Sequence, residues 1–168
     1  MMKTLWRKGA VALIGLFALI GMIMTGEALA DIIIDNGAPG TSFTGSWPVS
    51  GGTQPYGANS VWSRNGTTFT WTMTGEPVGT YDVHMWWSGW SSRASSVPVA
   101  INHAGGTAQL TINQRLNAGQ WNRLGTYVFN GNGSVTITAA NGDTREPSVQ
   151  QSGLRAMIIL ECAATAAR

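Results

Sequence analysis

The sequence predicts an all-β protein, an antiparallel β-sandwich of about ten short strands in a jelly-roll-like arrangement. Apolar and polar residues alternate in several short segments, most clearly where Phe69, Trp71 and Met73 alternate with threonines. Turn-forming residues recur about every eight to twelve positions, which is the spacing expected of sandwiches and jelly rolls. After residue 30, no segment shows the apolar period of an amphipathic helix.

The expected strands follow one another with short turns between them. The β-branched run 31–35 predicts a first strand that is buried on both faces. Asn65-Gly66 is the favoured dipeptide of a two-residue type I′ hairpin, and Ala104-Gly105-Gly106 predicts a second hairpin. The predicted strands are 31–35, 42–49, 59–64, 67–74, 79–87, 97–103, 107–113, 121–129, 134–140 and 153–161.

Residues 1–30 have the features of a secretory signal peptide. A basic N-terminal segment is followed by the apolar run 9–25 and then by Ala28-Leu29-Ala30, the small-x-small pattern of a cleavage site. We therefore expect cleavage before Asp31 and a secreted protein, either extracellular or periplasmic. The alternative is an uncleaved membrane anchor, but the apolar run is shorter than the roughly eighteen residues of a spanning helix.

The charge balance changes when residues 1–30 are removed. Taking Lys3, Arg7 and Lys8 from ten basic residues, and Glu27 from eight acidic ones, leaves seven of each. A neutral chain has no electrostatic footprint for nucleic acid or for an anionic membrane. The composition therefore favours a neutral, polar partner, and after signal cleavage we expect neither nucleic acid nor membrane binding.

The chain that remains is expected to be one domain. This domain covers 31–161 and is followed by a short tail, 162–168, that contains the only cysteine, Cys162. A single cysteine permits no intramolecular disulfide, so the fold must depend on its hydrophobic core. Cys162 is either an idle thiol or the site of an intermolecular disulfide.

Three tryptophans lie close together in the segment 79–99. Trp87 shares its phase along the strand with Tyr81 and is predicted to face the core, which leaves Trp86 facing outward and Trp90 on the following loop. An indole on the surface of a sandwich indicates either packing at an edge or a platform for a ligand.

Two motifs in the second half of the chain are the most specific. They are Asn102-His103-x-x-Gly106, continuing to Gln114, and Gln120-Trp121-x-x-Leu124-Gly125-Thr126-Tyr127. With the initial Ile-Ile-Ile-Asp-Asn-Gly and the Trp-Trp strand, the order of motifs over 31–161 resembles the golvesin / xanthan-lyase carbohydrate-binding-like domain family. The resemblance implies an accessory β-sandwich of secreted bacterial enzymes, with no catalytic activity of its own and a role in carbohydrate binding.

The sequence departs from that family near its C-terminus. Gln151-Ser152-Gly153-Leu154-Arg155 lies where family members have an Ala-Asp-Ala-Val-Arg-like run, so serine replaces the acid. If that acid pairs with the loop arginine matched by Arg93, the pair is missing here. Arg93 is then either held differently or available to a ligand.

Sugar binding requires flat aromatic faces flanked by hydrogen-bonding side chains. The aromatic candidates are Trp86, Trp90, Trp62 and Tyr56, and the hydrogen-bonding candidates are Arg93, Asn102 and Gln114. The alternative is structural: Trp62 and Trp90 cap the core, and Trp121, Gln114 and Arg93 form an internal network. The remaining tryptophans of the domain are expected in the core, namely Trp47, Trp71, Trp87 and Trp121.

Catalytic and metal sites have weaker signals. Asp82 and His84 share the outward face of one strand, but no nucleophile-elbow motif accompanies them. Paired carboxylates on a common face are also missing, and His84 and His103 have no partner at metal-ligand spacing. A calcium site could be built from loop oxygens, but its candidates do not form a specific motif: Asp31, Asp35, Asn36 and Asp143.

These observations favour a secreted, non-catalytic binding module without a cofactor, whose ligand is a polysaccharide. An extracellular structural or adhesive matrix protein is the first alternative, because the surface is poor in charge and Cys162 is unpaired. A small hydrolase is the second.

Overall fold

The computed structural model describes residues 31–140 and the backbone of two further strands, 152–154 and 158–162. The predicted signal peptide, the calcium candidate Asp143 and the tail residues 163–168 lie outside the described residues. The described part contains twelve strands and no helix. No helix long and apolar enough to cross a bilayer therefore occurs in it.

The strands are short and lie in three antiparallel sheets. In chain order they are β1 (Ile32–Ile34), β2 (Thr41–Phe43), β3 (Val49–Ser50), β4 (Ser60–Ser63), β5 (Thr68–Thr74), β6 (Gly79–Trp86), β7 (Val97–His103), β8 (Gly106–Ile112), β9 (Trp121–Phe129), β10 (Asn132–Thr138), β11 (Ser152–Leu154) and β12 (Ile158–Cys162). The sheet orders are β1-β12-β6-β9, β2-β5-β10-β7-β8 and β11-β4-β3.

The four-stranded and five-stranded sheets enclose one hydrophobic core. Its buried residues come from inward positions of both sheets, for example Trp71 and Ile101 from the five-stranded sheet, and Tyr81 and Met85 from the four-stranded sheet. The predicted all-β antiparallel sandwich is confirmed. Trp47, Trp71 and Trp87 are buried as expected, whereas Trp121 is only partly buried.

The first strand is not buried on both faces, contrary to the prediction. β1 lies at the edge of the four-stranded sheet, where Ile34 faces the core and Ile33 is 45% exposed. A β-branched run of this length fits either position, so composition alone does not distinguish an edge strand from a central one.

The predicted first hairpin is also wrong, although its turn is correct. Asn65 and Gly66 adopt positive φ values of 61° and 76°, as a type I′ turn requires. The flanking strands β4 and β5 nevertheless belong to different sheets. Within the turn, the amide of Gly66 donates to the carbonyl of Ala139, just after β10, at 3.0 Å. The strand that follows, β5, then pairs with β2 and β10 and not with β4.

The chain also divides its last predicted strand in two. β11 pairs with β4 and β12 pairs with β1 and β6, so the segment 153–161 contributes to two sheets. Cys162 ends β12 in register with Tyr81, which extends this strand by one residue beyond the predicted boundary. The second predicted hairpin, between β7 and β8, is confirmed.

A bulge in the four-stranded sheet determines which side chains reach its outer face. The register of β6 and β9 shifts between Val83, opposite Gly125, and His84, opposite Arg123, so Leu124 is an extra residue. One extra residue shifts the alternation, so side chains before the bulge face opposite to what unbroken alternation with those after it would give. Trp121 consequently lies opposite Trp86, on the outer face.

Candidate functional site

Three aromatic rings meet on the outer face of the four-stranded sheet, and we call them the aromatic cluster: Tyr56, Trp86 and Trp121. The ring centroids of Tyr56 and Trp86 are 5.5 Å apart, those of Tyr56 and Trp121 are 5.5 Å apart, and those of Trp86 and Trp121 are 5.6 Å apart. Trp86 lies nearly perpendicular to the other two rings, at 76° and 75°. All three side chains are partly exposed, so the cluster is a surface and not part of the core.

The loop that carries Tyr56 is fixed against the loop after β6. Thr53 and Gly89 exchange two backbone hydrogen bonds, each 2.9 Å long. The indole Nε1 of Trp86 donates to the carbonyl of Gln54 at 3.0 Å. Gly119 adopts a φ of 74°, and a Cβ there would lie 2.8 Å from the side chain of Gln54. These contacts hold Tyr56 beside Trp86 although thirty positions separate them in the sequence.

Among the tryptophans of residues 31–140, Trp90 is the most exposed. Its side chain is 43% exposed and lies beside Gly51, where a Cβ would be 3.7 Å from the indole. The outward positions predicted for Trp86 and Trp90 are therefore both observed. Trp90 and Tyr56 lie on the two loops that the Thr53–Gly89 pair joins.

Trp121 is the aromatic residue that sequence reasoning missed. It was expected in the core, but the bulge breaks the alternation between Trp121 and Tyr127 and places Trp121 on the outer face. The signal for that bulge is Gly125, an isolated glycine inside a strand, with a φ of 154°. A Cβ at Gly125 would lie 2.8 Å from the hydroxyl of Tyr127, so this ring covers the glycine.

Next to the aromatic cluster, the same face carries an ion pair. Nε and Nη2 of Arg123 donate to Oδ1 of Asp82 at 3.0 and 2.8 Å, and the hydroxyl of Thr126 contacts both side chains. The hydrogen bond from Arg123 is the main cause that lowers the pKa of Asp82 below 3.8, followed by the hydrogen bond from Thr126. The charges of Asp82 and Arg123 therefore neutralise each other.

Asp82 and His84 therefore do not resemble a hydrolytic pair. The carboxylate of Asp82 is engaged by Arg123 and by the hydroxyl of Thr126, and no described hydrogen bond joins Asp82 to His84 as in a base–orienter pair. Among residues 31–140, no group of three His, Cys, Asp or Glu side chains is close enough to hold a metal ion.

Arg93 was a candidate for contact with ligand, but its side chain is fully buried. Nη2 donates to the hydroxyls of Ser88 and Ser50 at 2.8 and 3.1 Å, and Nε donates to the carbonyl of Ser88 at 3.3 Å. A Cβ at Gly52 would lie 2.7 Å from Nη2, so the backbone of this loop covers the guanidinium. Burial lowers the pKa of Arg93 to about 10. Serine hydroxyls thus hold the loop arginine in the structure.

Gln114 is also fully buried and cannot reach a surface ligand. Its backbone amide donates to the carbonyl of Ala94 at 3.1 Å, and Arg115 donates to the carbonyl of Arg93 at 2.7 Å. These bonds tie the segment after β8 to the arginine loop. For Arg93 and Gln114 the structural alternative is therefore the better interpretation, because neither side chain is accessible.

The two remaining candidates lie apart from the aromatic cluster. Asn102 is on the outer face of the five-stranded sheet, where its amide donates to Ser134 at 2.9 Å and its Oδ1 accepts from Thr107 at 2.6 Å. Trp62 is on β4, in the third sheet, and the guanidinium of Arg64 lies 4.9 Å from the centroid of its ring. Of the four aromatic candidates, Tyr56 and Trp86 are the pair whose rings are in contact in the described part of the chain.

Comparisons with known proteins place this chain in a family. Residues 32–150 match the Golvesin C-terminal domain. The chain is 36% identical over 126 residues to the xanthan lyase of Bacillus sp. (strain GL1), which covers 70% of this chain and 14% of that enzyme. The chain thus spans about a seventh of the length of this relative.

Solved structures agree with this assignment. Xanthan lyase from Paenibacillus superposes with a TM-score of 0.69 at 33% identity, covering 79% of this chain and 13% of that chain. A family 35 carbohydrate binding module from Clostridium thermocellum gives a TM-score of 0.51 at 12% identity, covering 80% of this chain and 100% of the module. At such low identity, the latter shows a shared fold alone. The family match covers well over half of the sequence, and the chain belongs to the Golvesin C-terminal domain family.

Proposed function

We propose that this protein is a secreted, non-catalytic module that binds polysaccharide through the aromatic cluster. The observation that carries the proposal is the meeting of Tyr56, Trp86 and Trp121 on an outer sheet face, held by hydrogen bonds from two loops. Partly exposed aromatic rings offer apolar faces to the C–H groups of a pyranose. Trp90, on the neighbouring loop, provides a further platform.

The surroundings of the cluster favour an uncharged sugar at this surface. Asp82 and Arg123 neutralise each other, and both keep atoms in solvent that can exchange hydrogen bonds with hydroxyl groups. The side-chain exposures of Arg123 and Asp82 are 54% and 26%, so a ligand on the rings could reach them. The cluster would supply the contact area, and this pair would orient the sugar.

The relatives support this proposal. Two of them are named as xanthan lyases, enzymes of which this chain matches about a seventh. Others with the same fold are named as carbohydrate binding modules. We infer that the chain shares the binding role of such modules, that its sandwich is jelly-roll-like, and that residues 1–30 direct its export.

The test is a pull-down of the full chain against insoluble and soluble polysaccharides of different backbone linkage, with tryptophan fluorescence as the readout. Saturable retention with a change in emission supports the binding module. Retention on none of a broad panel would contradict it and would favour the matrix protein. Reducing and non-reducing gels of the same preparation would then show whether Cys162 links two chains. Turnover of ester or glycoside substrates would instead favour the hydrolase.

A further inference from the structure

A second surface site lies at the turn between β4 and β5, away from the four-stranded sheet. A cleft of about 280 Å³ opens there, lined by Ser46, Pro48, Trp62, Arg64, Asn65 and Thr67. This volume is just below the range of about 300–1,000 Å³ that is usual for ligand pockets, so the cleft suits a single sugar ring or a small group.

Hydrogen bonds fix the walls of this cleft. The amide of Trp62 donates to the carbonyl of Pro48 at 3.0 Å, and the hydroxyl of Ser63 donates to the carbonyl of Ser46 at 2.7 Å. Thr67 donates to the hydroxyl of Ser63 at 2.6 Å, across the Asn65-Gly66 turn. The cleft is therefore formed before any ligand arrives, and binding in it requires little ordering of the backbone.

Arg64 differs from the other arginines of residues 31–140. The guanidinium groups of Arg93, Arg115 and Arg123 all donate hydrogen bonds to protein acceptors. The guanidinium of Arg64 makes no hydrogen bond or ion pair with a described residue and lies 4.9 Å from the centroid of the Trp62 ring. Stacking on an indole orients the planar group while leaving its N–H edges available.

Among residues 31–140, no acidic side chain compensates the charge of Arg64 within the cleft. Of the four acidic residues in 31–140, namely Asp31, Asp35, Glu76 and Asp82, none lines it. An oriented guanidinium edge matches the two oxygens of a carboxylate, and the charge-assisted bonds are about twice as strong as neutral ones. The side-chain amide of Asn65, in the same cleft, can form a hydrogen bond with a hydroxyl group of the same ligand.

We propose that the Arg64 cleft binds the carboxylate of an acidic sugar residue, a uronic acid or a sugar with a comparable acidic substituent. Arg64 holds the carboxylate, Trp62 contacts the ring, and Asn65 bonds a hydroxyl. This inference extends the proposed polysaccharide binding by a second site of different selectivity. The neutral aromatic cluster accepts the backbone of the glycan, and the Arg64 cleft accepts an acidic unit.

The test compares two ligands that differ only in the acid group, methyl β-glucuronide and methyl β-glucoside. Each is titrated into the full chain while the Trp62 indole N–H and the Arg64 Nε–H resonances are followed by NMR. The glucuronide should shift both signals and the glucoside should leave them in place. Adding salt should weaken the glucuronide effect, because an exposed ion pair is screened.

Variants separate this proposal from general glycan binding. Arg64→Gln should weaken glucuronide binding about fivefold, within the range known for exposed ion pairs. Arg115→Gln, which removes an arginine outside both proposed sites, is the matched control and should leave the Trp62 response unchanged. Retention of the chain on a neutral polysaccharide tests the proposed function independently and should persist in Arg64→Gln.

Three results would overturn the inference. They are equal shifts with the two methyl glycosides, a glucuronide response that survives Arg64→Gln, and an equal response to inorganic phosphate, since the cleft would then select any anion. Failure of the wild-type chain to bind any neutral polysaccharide would contradict the proposed function but not the binding of an acidic sugar in the Arg64 cleft.

Discussion

The two outer faces of the sandwich expose different kinds of side chain to solvent. The five-stranded sheet presents hydroxyl and amide groups, and none of its five strands contains Asp, Glu, Lys or Arg. The four-stranded sheet presents the aromatic cluster beside the Asp82–Arg123 pair. Among the described side chains, only the second face presents a group of aromatic rings.

On the outer face of the five-stranded sheet, which we call the hydroxyl face, polar side chains form hydrogen bonds with one another. Thr70 on β5 and Thr136 on β10 are hydrogen-bonded at 2.9 Å, and Asn102 on β7 bonds Ser134 on β10 at 2.9 Å. Cross-strand pairs of this kind stabilise the sheet and leave fewer groups for a partner. The aromatic cluster is assembled instead from a loop and two strands, so its function depends on loop packing as well as on the sheet.

The largest expected effect follows from removing two rings of the aromatic cluster. Changing Trp86→Ala together with Trp121→Ala should weaken polysaccharide binding about thirtyfold, since each stacked ring contributes roughly 1 kcal/mol beyond its area. Both side chains are only partly buried, so the free energy of unfolding should fall by about 1–2 kcal/mol. Affinity pull-down and thermal denaturation measure the two quantities. Undiminished binding of the double variant would show that the aromatic cluster is not the polysaccharide-binding surface.

A smaller effect is expected at the bulge that creates the aromatic cluster. Gly125→Ala places a methyl group 2.8 Å from the hydroxyl of Tyr127, at a φ of 154° that residues with a side chain avoid. We expect a loss of about 1–3 kcal/mol in stability, together with several-fold weaker binding because Trp121 shifts. Denaturant unfolding and pull-down of the same variant test this. Full stability with normal affinity would show that the glycine is not required.

The ion pair on the aromatic face should be visible in a pH titration. The carboxyl carbon of Asp82 should titrate below 3.8, and Arg123→Gln should raise its pKa toward that value. Because the folded-state pKa is depressed, the stabilising contribution is present above the unfolded pKa and is lost as the pH falls through the folded value. Carbon-detected NMR measures the midpoint. An Asp82 midpoint at or above 3.8 in the wild-type chain would contradict the pairing.

The smallest effect should come from the hydroxyl face. Thr70→Val together with Thr136→Val removes a hydrogen-bonded pair with little change of shape, and β-branched residues are retained on both strands. Stability should change by less than about 1 kcal/mol, and polysaccharide binding should not change. Loss of binding in this variant would mean that the two faces have been assigned the wrong roles.

Sequence reasoning succeeded where a local pattern determines the structure. The alternation around Trp71 defined the two faces of β5, and the phase of β6 placed Trp86 outward. It failed where partners come from distant segments. The type I′ turn at Asn65-Gly66 formed, yet β4 and β5 joined different sheets, because pairing depends on which strands compete for each edge.

The same limit applies to the site. Trp121 was expected in the core, but the bulge in β9 breaks the alternation of this strand and turns the ring outward. Arg93 was left open between ligand and loop, and only the fold shows that Ser50 and Ser88 enclose it. The contact of Tyr56 with Trp86 depends on the backbone pairing of two loops, which no local pattern encodes.

The aromatic cluster is tested most directly by following the indole N–H signals of the tryptophans while fragments of the retained polysaccharide are titrated into the protein. We expect shifts of the signals of Trp86 and Trp121 and a smaller shift at Trp90, while the signals of the buried Trp71 and Trp87 remain in place. Shifts that leave Trp86 and Trp121 unchanged while the ligand binds would contradict the assignment of the aromatic cluster as the polysaccharide-binding surface.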